Sequence, residues 1–107
     1  MILTLDVGNS QIFCGVFDRS ELVTQFRHAS TGRSSSDEIG VFLRGALREN
    51  GVEPQQIKVI GISSVVPELN YSLRACCQKY FEIEPMIMRP GIKTGLQIAY
   101  KDPKEVG

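Results

Sequence analysis

An aspartate closes the first aliphatic run of the chain: Ile2-Leu3-Thr4-Leu5 leads into Asp6, and Val7-Gly8-Asn9-Ser10 follows before a second apolar run starts at Gln11. A carboxylate at the end of a central strand is costly to bury unpaired, but is tolerated where it reaches a cleft and meets a cation or water. The backbone N–H groups around Gly8 to Ser10, with the Ser10 hydroxyl, make a concavity that can hold phosphate oxygens. Asp6 can then hold Mg²⁺, directly or through water, beside the same phosphates. One hairpin would thus supply both metal charge and phosphate donors. Asp, Gly and Asn are also ordinary turn formers, so these residues alone read more readily as a plain turn. Neither a P-loop nor a G-x-G-x-x-G fingerprint is present.

Other candidates are more ambiguous. Gly61-Ile62-Ser63-Ser64-Val65-Val66-Pro67 leaves a buried strand and enters a helix. The ends of parallel strands commonly line ligand clefts, but serine before a helix reads more readily as a simple cap. Lys93 and Thr94, between two glycines, can meet an anionic ligand or lie in a solvated loop. Tyr100 can donate a hydrogen bond at a pocket or merely pack. His28 is the single histidine and has no visible partner, which argues against catalysis by it.

The elements that must position these groups follow from periodicity. Residues 2–6 read as a strand, 11–18 as a second, with Ile12, Cys14 and Val16 on one face and Phe13, Gly15 and Phe17 on the other. Gly8-Asn9 between them has the chemistry of a hairpin turn, because both residues tolerate positive φ. Asp18-Arg19-Ser20-Glu21 is a second polar turn, leading to a third strand near 22–28. Ser35 to Glu38 matches a capping box, and Ile39, Phe42, Leu43, Ala46 and Leu47 form a helical stripe that Gly51 is placed to end. Ile57 to Ser63 reads as a strand. Pro67 suits the first turn of a second helix, with Leu69, Leu73, Cys76, Cys77 and Tyr80 as its inner stripe. Pro85 to Met88 reads as a short last strand. The order β-β-β-α-β-α-β is an α/β pattern with a mixed five-stranded sheet, the later strands parallel to the first through right-handed crossovers.

The 107 residues suit one domain, and 42% hydrophobic residues suit a globular core. Twelve basic and twelve acidic residues cancel, which removes the electrostatic case for a nucleic-acid or anionic-membrane surface. The apolar runs are too short to span a bilayer, and a strand-like N-terminus carrying Asp6 is not a signal peptide. Three cysteines without metal-ligand spacing read as small apolar residues of a reduced, cytoplasmic protein.

Three stretches in order carry a family likeness. Asp6-Val7-Gly8-Asn9-Ser10 resembles the first phosphate motif of the type III pantothenate kinases, within the acetate and sugar kinase/actin superfamily. Ile62-Ser63-Ser64-Val65-Val66-Pro67 resembles a second stretch of that family. Pro90-Gly91-Ile92-Lys93-Thr94-Gly95-Leu96, with Tyr100, Pro103 and Glu105-Val106-Gly107, resembles a third. The resemblance implies a ribonuclease H-like/actin-like ATPase domain, here residues 1–107 as the N-terminal half of a two-domain kinase. It implies ATP-dependent phosphorylation of pantothenate, the first step of coenzyme A synthesis. By the same resemblance Asp6, Val7, Gly8, Asn9, Ser10, Gln11, Ile12 and Phe13 would bind ATP phosphates, Asp6 would lie near Mg²⁺, and Tyr100 and Gly107 would contact pantothenate. A monovalent cation, K⁺ or NH₄⁺, and a homodimer are further implications.

The chain departs from the family mildly at Ser10, where threonine is common, and at Gln11, where asparagine is common. The family's Gly-Ala-Asp-Arg motif begins at the glycine matching Gly107, so its general-base aspartate and substrate-binding arginine lie beyond this sequence, and the 107 residues alone are expected to be inactive. The alternative reading is a non-catalytic regulatory or accessory module of the same fold. Phosphorylation of a different small alcohol is a third reading, since the phosphate hairpin is shared across the superfamily.

Overall fold

Every residue of the first strand, Ile2–Val7 (β1), is buried except Asp6. This computed structural model describes residues 1–29 and 33–88. β1 is the centre of a five-stranded sheet. It pairs antiparallel with Gln11–Asp18 (β2), which pairs antiparallel with Glu21–Ala29 (β3). On its other side β1 pairs parallel with Val59–Ser64 (β4), and β4 pairs parallel with Met86–Met88 (β5). The spatial order is β3-β2-β1-β4-β5, the mixed sheet that the periodicity predicts.

Two helices cover one face of this sheet. Ser36–Glu49 (α1) begins with the expected capping box: the Glu38 N–H donates to Ser35 Oγ at 3.1 Å, and the Ser35 N–H donates to Glu38 Oε1 at 3.2 Å. It ends at Gly51, whose φ of +83° is the left-handed conformation that favours glycine. Pro67–Phe81 (α2) starts at its proline. Alternate residues of the strands, such as Leu3, Leu5, Cys14 and Ile62, meet Ile39, Leu43 and Leu47 of α1 and Leu69, Leu73 and Cys76 of α2 in one core. Each fully buried aliphatic side chain there contributes about 1.5–3 kcal/mol relative to exposure.

The local details depart from expectation at several points. Neither Gly8 nor Asn9 takes a positive φ; the described residues that do are Arg19, Gly51 and Glu82. The first hairpin is instead closed by a bond from the Gly8 N–H to the Gln11 carbonyl at 2.9 Å. β4 starts at Val59, because Pro54–Gln56 forms a 3₁₀ turn and buried Ile57 packs in the core after it. The cap of α2 is Val66 without a side-chain hydrogen bond, so no serine caps that helix. The Ser64 hydroxyl spans two residues instead, accepting from the Val66 N–H at 3.0 Å and donating to its carbonyl at 3.2 Å. Tyr80 is only half-buried, its ring resting on Gly40.

Candidate functional site

The alternation of a strand sends neighbouring side chains to opposite faces. In β1, Leu3, Leu5 and Val7 enter the core under the helices, so Thr4 and Asp6 stand on the other face. Asp6 is exposed at the C-terminal end of this central strand. It lies opposite Phe13 of β2 and opposite Ser63 of β4. Directly paired residues share a face, so Phe13, Asp6 and Ser63 form one row across the sheet end. Phe13 is 49% exposed, whereas Ser63 is buried.

The turn after Asp6 is held from both sides. The Gly8 N–H is spent on the Gln11 carbonyl, and the Val65 N–H reaches across to the Val7 carbonyl at 3.0 Å. That second bond ties the loop after β1 to the loop after β4, so two strand ends open side by side. Asn9 and Ser10 are exposed at the tip, and among the described residues their N–H groups have no backbone acceptor. A Cβ at Gly8 would meet only the Gln11 carbonyl oxygen, at 3.5 Å, an ordinary contact. The turn therefore does not require glycine on conformational or packing grounds. What the missing side chain leaves is room for a ligand to approach the backbone closely.

These features fit a phosphate chain with a magnesium ion. Two N–H groups without a backbone acceptor among the described residues, and a hydroxyl, follow an exposed carboxylate in the same exposed turn. Among the described residues no group of three His, Cys, Asp or Glu side chains could cage a metal. Mg²⁺ does not need such a cage, since it is commonly held by one or two carboxylates plus substrate phosphates and water.

The structure divides the expected phosphate-binding residues 6–13 by face. Asp6, Asn9, Ser10 and Phe13 are exposed, Gly8 and Gln11 are half-buried, and Val7 and Ile12 are core residues at 3% and 1% exposure. Any part that Val7 and Ile12 play is through the backbone. Ser64 is spent on its local turn, while Ser63 joins the row of Asp6. Tyr100 and Gly107, with Lys93 and Thr94, lie outside the described residues. His28 stacks on Phe42 of α1, the ring centroids 4.2 Å apart. The three cysteines are buried and free. Burial first, and neighbouring Cys76 second, push the Cys14 thiol up to about 12. Cys77 is also raised, by a hydrogen bond with Cys76 and then by burial. Thiols so placed are poor nucleophiles. Sequence reasoning missed Arg27, which the β2–β3 register sets opposite Phe13. Its only local signal is the alternation of exposed and half-buried positions along β3.

A mixed sheet with antiparallel hairpins on one side, helix-linked parallel strands on the other and a carboxylate at the end of the central strand defines the actin-like ATPase class of fold. Among solved structures, the chain is similar to a ROK hexokinase from Thermus thermophilus, with a TM-score of 0.63 at 17% identity, covering 82% of this chain and 34% of that one. It is also similar to a putative N-acetylglucosamine kinase from Porphyromonas gingivalis, with a TM-score of 0.62 at 16% identity, covering 84% of this chain and 34% of that one. At such identities the likeness concerns the fold. Sequence is more specific: the family model of the type III pantothenate kinases matches residues 2–107. The type III pantothenate kinase of Legionella pneumophila (strain Corby) is 54% identical over all of this chain, which covers 41% of that relative. That of Elusimicrobium minutum (strain Pei191) is 51% identical, again over the whole chain and 42% of the relative. The chain belongs to the type III pantothenate kinase family. It spans about two fifths of the length of these relatives.

Proposed function

We propose that the protein carrying this chain transfers the γ-phosphoryl group of ATP to pantothenate, and that residues 1–107 form its phosphate-binding N-terminal domain. The observation that carries this reading is the exposed Asp6 carboxylate at the end of the central strand, followed by a turn whose Asn9 and Ser10 N–H groups have no backbone acceptor among the described residues. Phosphoryl transfer is catalysed mainly by positioning and charge neutralisation. A bound Mg²⁺ would supply charge to the phosphate oxygens. The chain's own residues divide the remaining work. Asp6 anchors the metal, directly or through water. The Asn9 and Ser10 N–H groups and the Ser10 hydroxyl hold phosphate oxygens, and Gly8 lets them approach the backbone. The bond from Val65 to Val7 keeps both strand-end loops in register. By family likeness, Tyr100 and Gly107 contact pantothenate, and the proton of its hydroxyl is taken by an aspartate following Gly107. A monovalent cation (K⁺ or NH₄⁺), a homodimer and a cytoplasmic location complete the proposal on the same ground. No helix among the described residues is long and apolar enough to cross a membrane.

The test is pantothenate-dependent ADP release by the full-length protein with Mg²⁺ and K⁺. Asp6→Asn should lower kcat by roughly two orders of magnitude or more, the scale of losing one key electrostatic group, with the fold intact by circular dichroism. Near-normal turnover in the variant would refute the role of Asp6. No turnover in a folded wild-type protein would refute the kinase reading and leave a non-catalytic module.

A further inference from the structure

The peptide unit that begins the phosphate hairpin is gripped at both of its polar ends. Its oxygen, the Val7 carbonyl, accepts from the Val65 N–H at 3.0 Å, and its N–H, that of Gly8, donates to the Gln11 carbonyl at 2.9 Å. A peptide unit is planar, so the two bonds together fix its rotation and with it the direction in which the chain enters Asn9 and Ser10. The Gln11 bond lies within the hairpin. The Val65 bond comes from another strand, and from a residue just past that strand's end: β4 stops at Ser64, which stands opposite Val7 in the parallel register. Packing does little to hold Val65, which is 49% exposed.

The bend that follows brings in Ser64. α2 starts at Pro67, and the helical region is disfavoured for a residue that precedes proline; Val66 accordingly has φ −121° and ψ 85°. The chain must therefore turn from strand to helix within Val65 and Val66. Val66 is buried, and its N–H has no backbone acceptor among the described residues. A buried N–H left unpaired is costly. The hydroxyl of buried Ser64 takes that N–H at 3.0 Å and donates to the Val66 carbonyl at 3.2 Å. Two bonds to one residue lock the bend around Val65 and so aim the Val65 N–H at Val7. We infer that Ser64 is a positioning residue for the phosphate hairpin, acting through the bond from Val65 to Val7. This depends on the proposed phosphate-binding role of the hairpin, and adds to it a buried hydroxyl on the helix-covered face of the sheet, outside residues 6–13.

The test uses the full-length protein and reads the loop, nucleotide binding and turnover separately. Amide hydrogen exchange at Val65 by NMR, ADP-Mg²⁺ affinity by calorimetry and steady-state kinetics are compared for wild type, Ser64→Ala, Ser64→Thr and Ile39→Val, with circular dichroism as the fold check. Ser64→Ala should speed exchange at Val65 roughly 10-fold and weaken ADP-Mg²⁺ roughly 3- to 10-fold, the scale of a lost hydrogen bond. The KM for ATP should rise with it while that for pantothenate holds. Ser64→Thr keeps the hydroxyl and should restore both readings. Ile39→Val removes a methylene from the core at α1 and leaves both loops untouched; it should lower stability but keep the wild-type ADP affinity. Unchanged Val65 exchange or unchanged ADP affinity in Ser64→Ala would overturn the inference. So would an equal loss of ADP affinity in Ile39→Val, which would trace the effect to global stability, or a loss that threonine does not restore, which would trace it to side-chain volume. A wild-type protein that binds no ADP would refute the phosphate-binding reading of the hairpin and this inference with it; faster Val65 exchange in Ser64→Ala would then tell that failure from a failure of the bond itself.

Discussion

Adding one methyl group at Gly40 tests how the two helices are locked together over the sheet. Gly40 lies in the first half of α1, where the ring of Tyr80 from α2 rests on it. A Cβ there would fall 2.6 Å from Tyr80 Cε2, and nearer still to Cγ and Cδ2. Carbon atoms rest about 3.5–4.0 Å apart. The ring cannot swing away freely. The Tyr80 hydroxyl donates to Asp37 Oδ1 at 2.7 Å, and Arg44 Nη1 donates to the Tyr80 carbonyl at 2.7 Å. In an open helix position Gly→Ala would stabilise by about 1 kcal/mol through propensity. Overpacking costs about 1–3 kcal/mol, and displacing the ring also strains its bond to Asp37. Gly40→Ala should therefore destabilise by about 1–2 kcal/mol on balance. Removing the ring should reverse the sign: in a Tyr80→Ala background the same substitution should stabilise by up to about 1 kcal/mol. The assay is urea denaturation of the full-length protein and its three variants, read as a double-mutant cycle with an expected coupling of about 2 kcal/mol. A Gly40→Ala protein as stable as wild type, or a coupling near zero, would refute the argument that this contact sets the helix spacing.

The same clamp should respond to pH at both ends. Hydrogen bonds from Lys79 and then Tyr80 hold the Asp37 carboxyl below its usual range, while the bond to Asp37 raises both Lys79 and Tyr80. A depressed carboxylate stabilises above its unfolded pKa and loses that contribution as pH falls through the folded one, so the acid limb lies below about pH 4. A raised lysine or tyrosine stabilises below its unfolded pKa and loses that contribution as pH rises through the folded one, so the alkaline limb lies above about pH 10. The Lys79 and Asp37 side chains are more than half exposed and solvent screens them, so the limbs should be shallow; Asp37→Asn should flatten both in pH-dependent urea midpoints, and unchanged limbs would refute the assignment. Glu82 ends α2 with φ +55° and ψ +39°, a left-handed conformation that a side chain adopts at a cost. Glu82→Gly should raise stability by about 0.5–1 kcal/mol, less than the full strain because glycine is freer in the unfolded chain; a loss of stability would show that the Glu82 side chain matters more than its backbone.

Much of this molecule is readable one segment at a time, because the forces that shape it there are local. A capping box spans three residues, so Ser35 and Glu38 announce the start of α1 before any tertiary contact exists. The hydrophobic stripe of α1, the proline that opens α2 and the alternation of Ile12, Cys14 and Val16 obey the same short-range rules. Asp6 stands out for a related reason: an acid that closes an aliphatic run violates the local pattern, and such violations are where function is placed. The turn geometry was less readable. Gly8 and Asn9 permit positive φ, yet permission is not requirement, and the bond from Gly8 to Gln11 selects another conformation. Ser63 and Ser64 look alike in sequence, but alternation sends one into the row of Asp6 and the other under the helices, where it serves a local turn.

By itself, then, the sequence determined the elements, the α/β class and the family, since periodicity, caps and motif spacing are properties of neighbouring residues. Only the tertiary structure decided which strand ends open together and which side chains share a face there. Arg27 is fourteen residues from Phe13 and twenty-one from Asp6, and nothing in those intervals predicts adjacency. Register does: two antiparallel pairings stack the three residues into one row, on the face of the sheet opposite the helices.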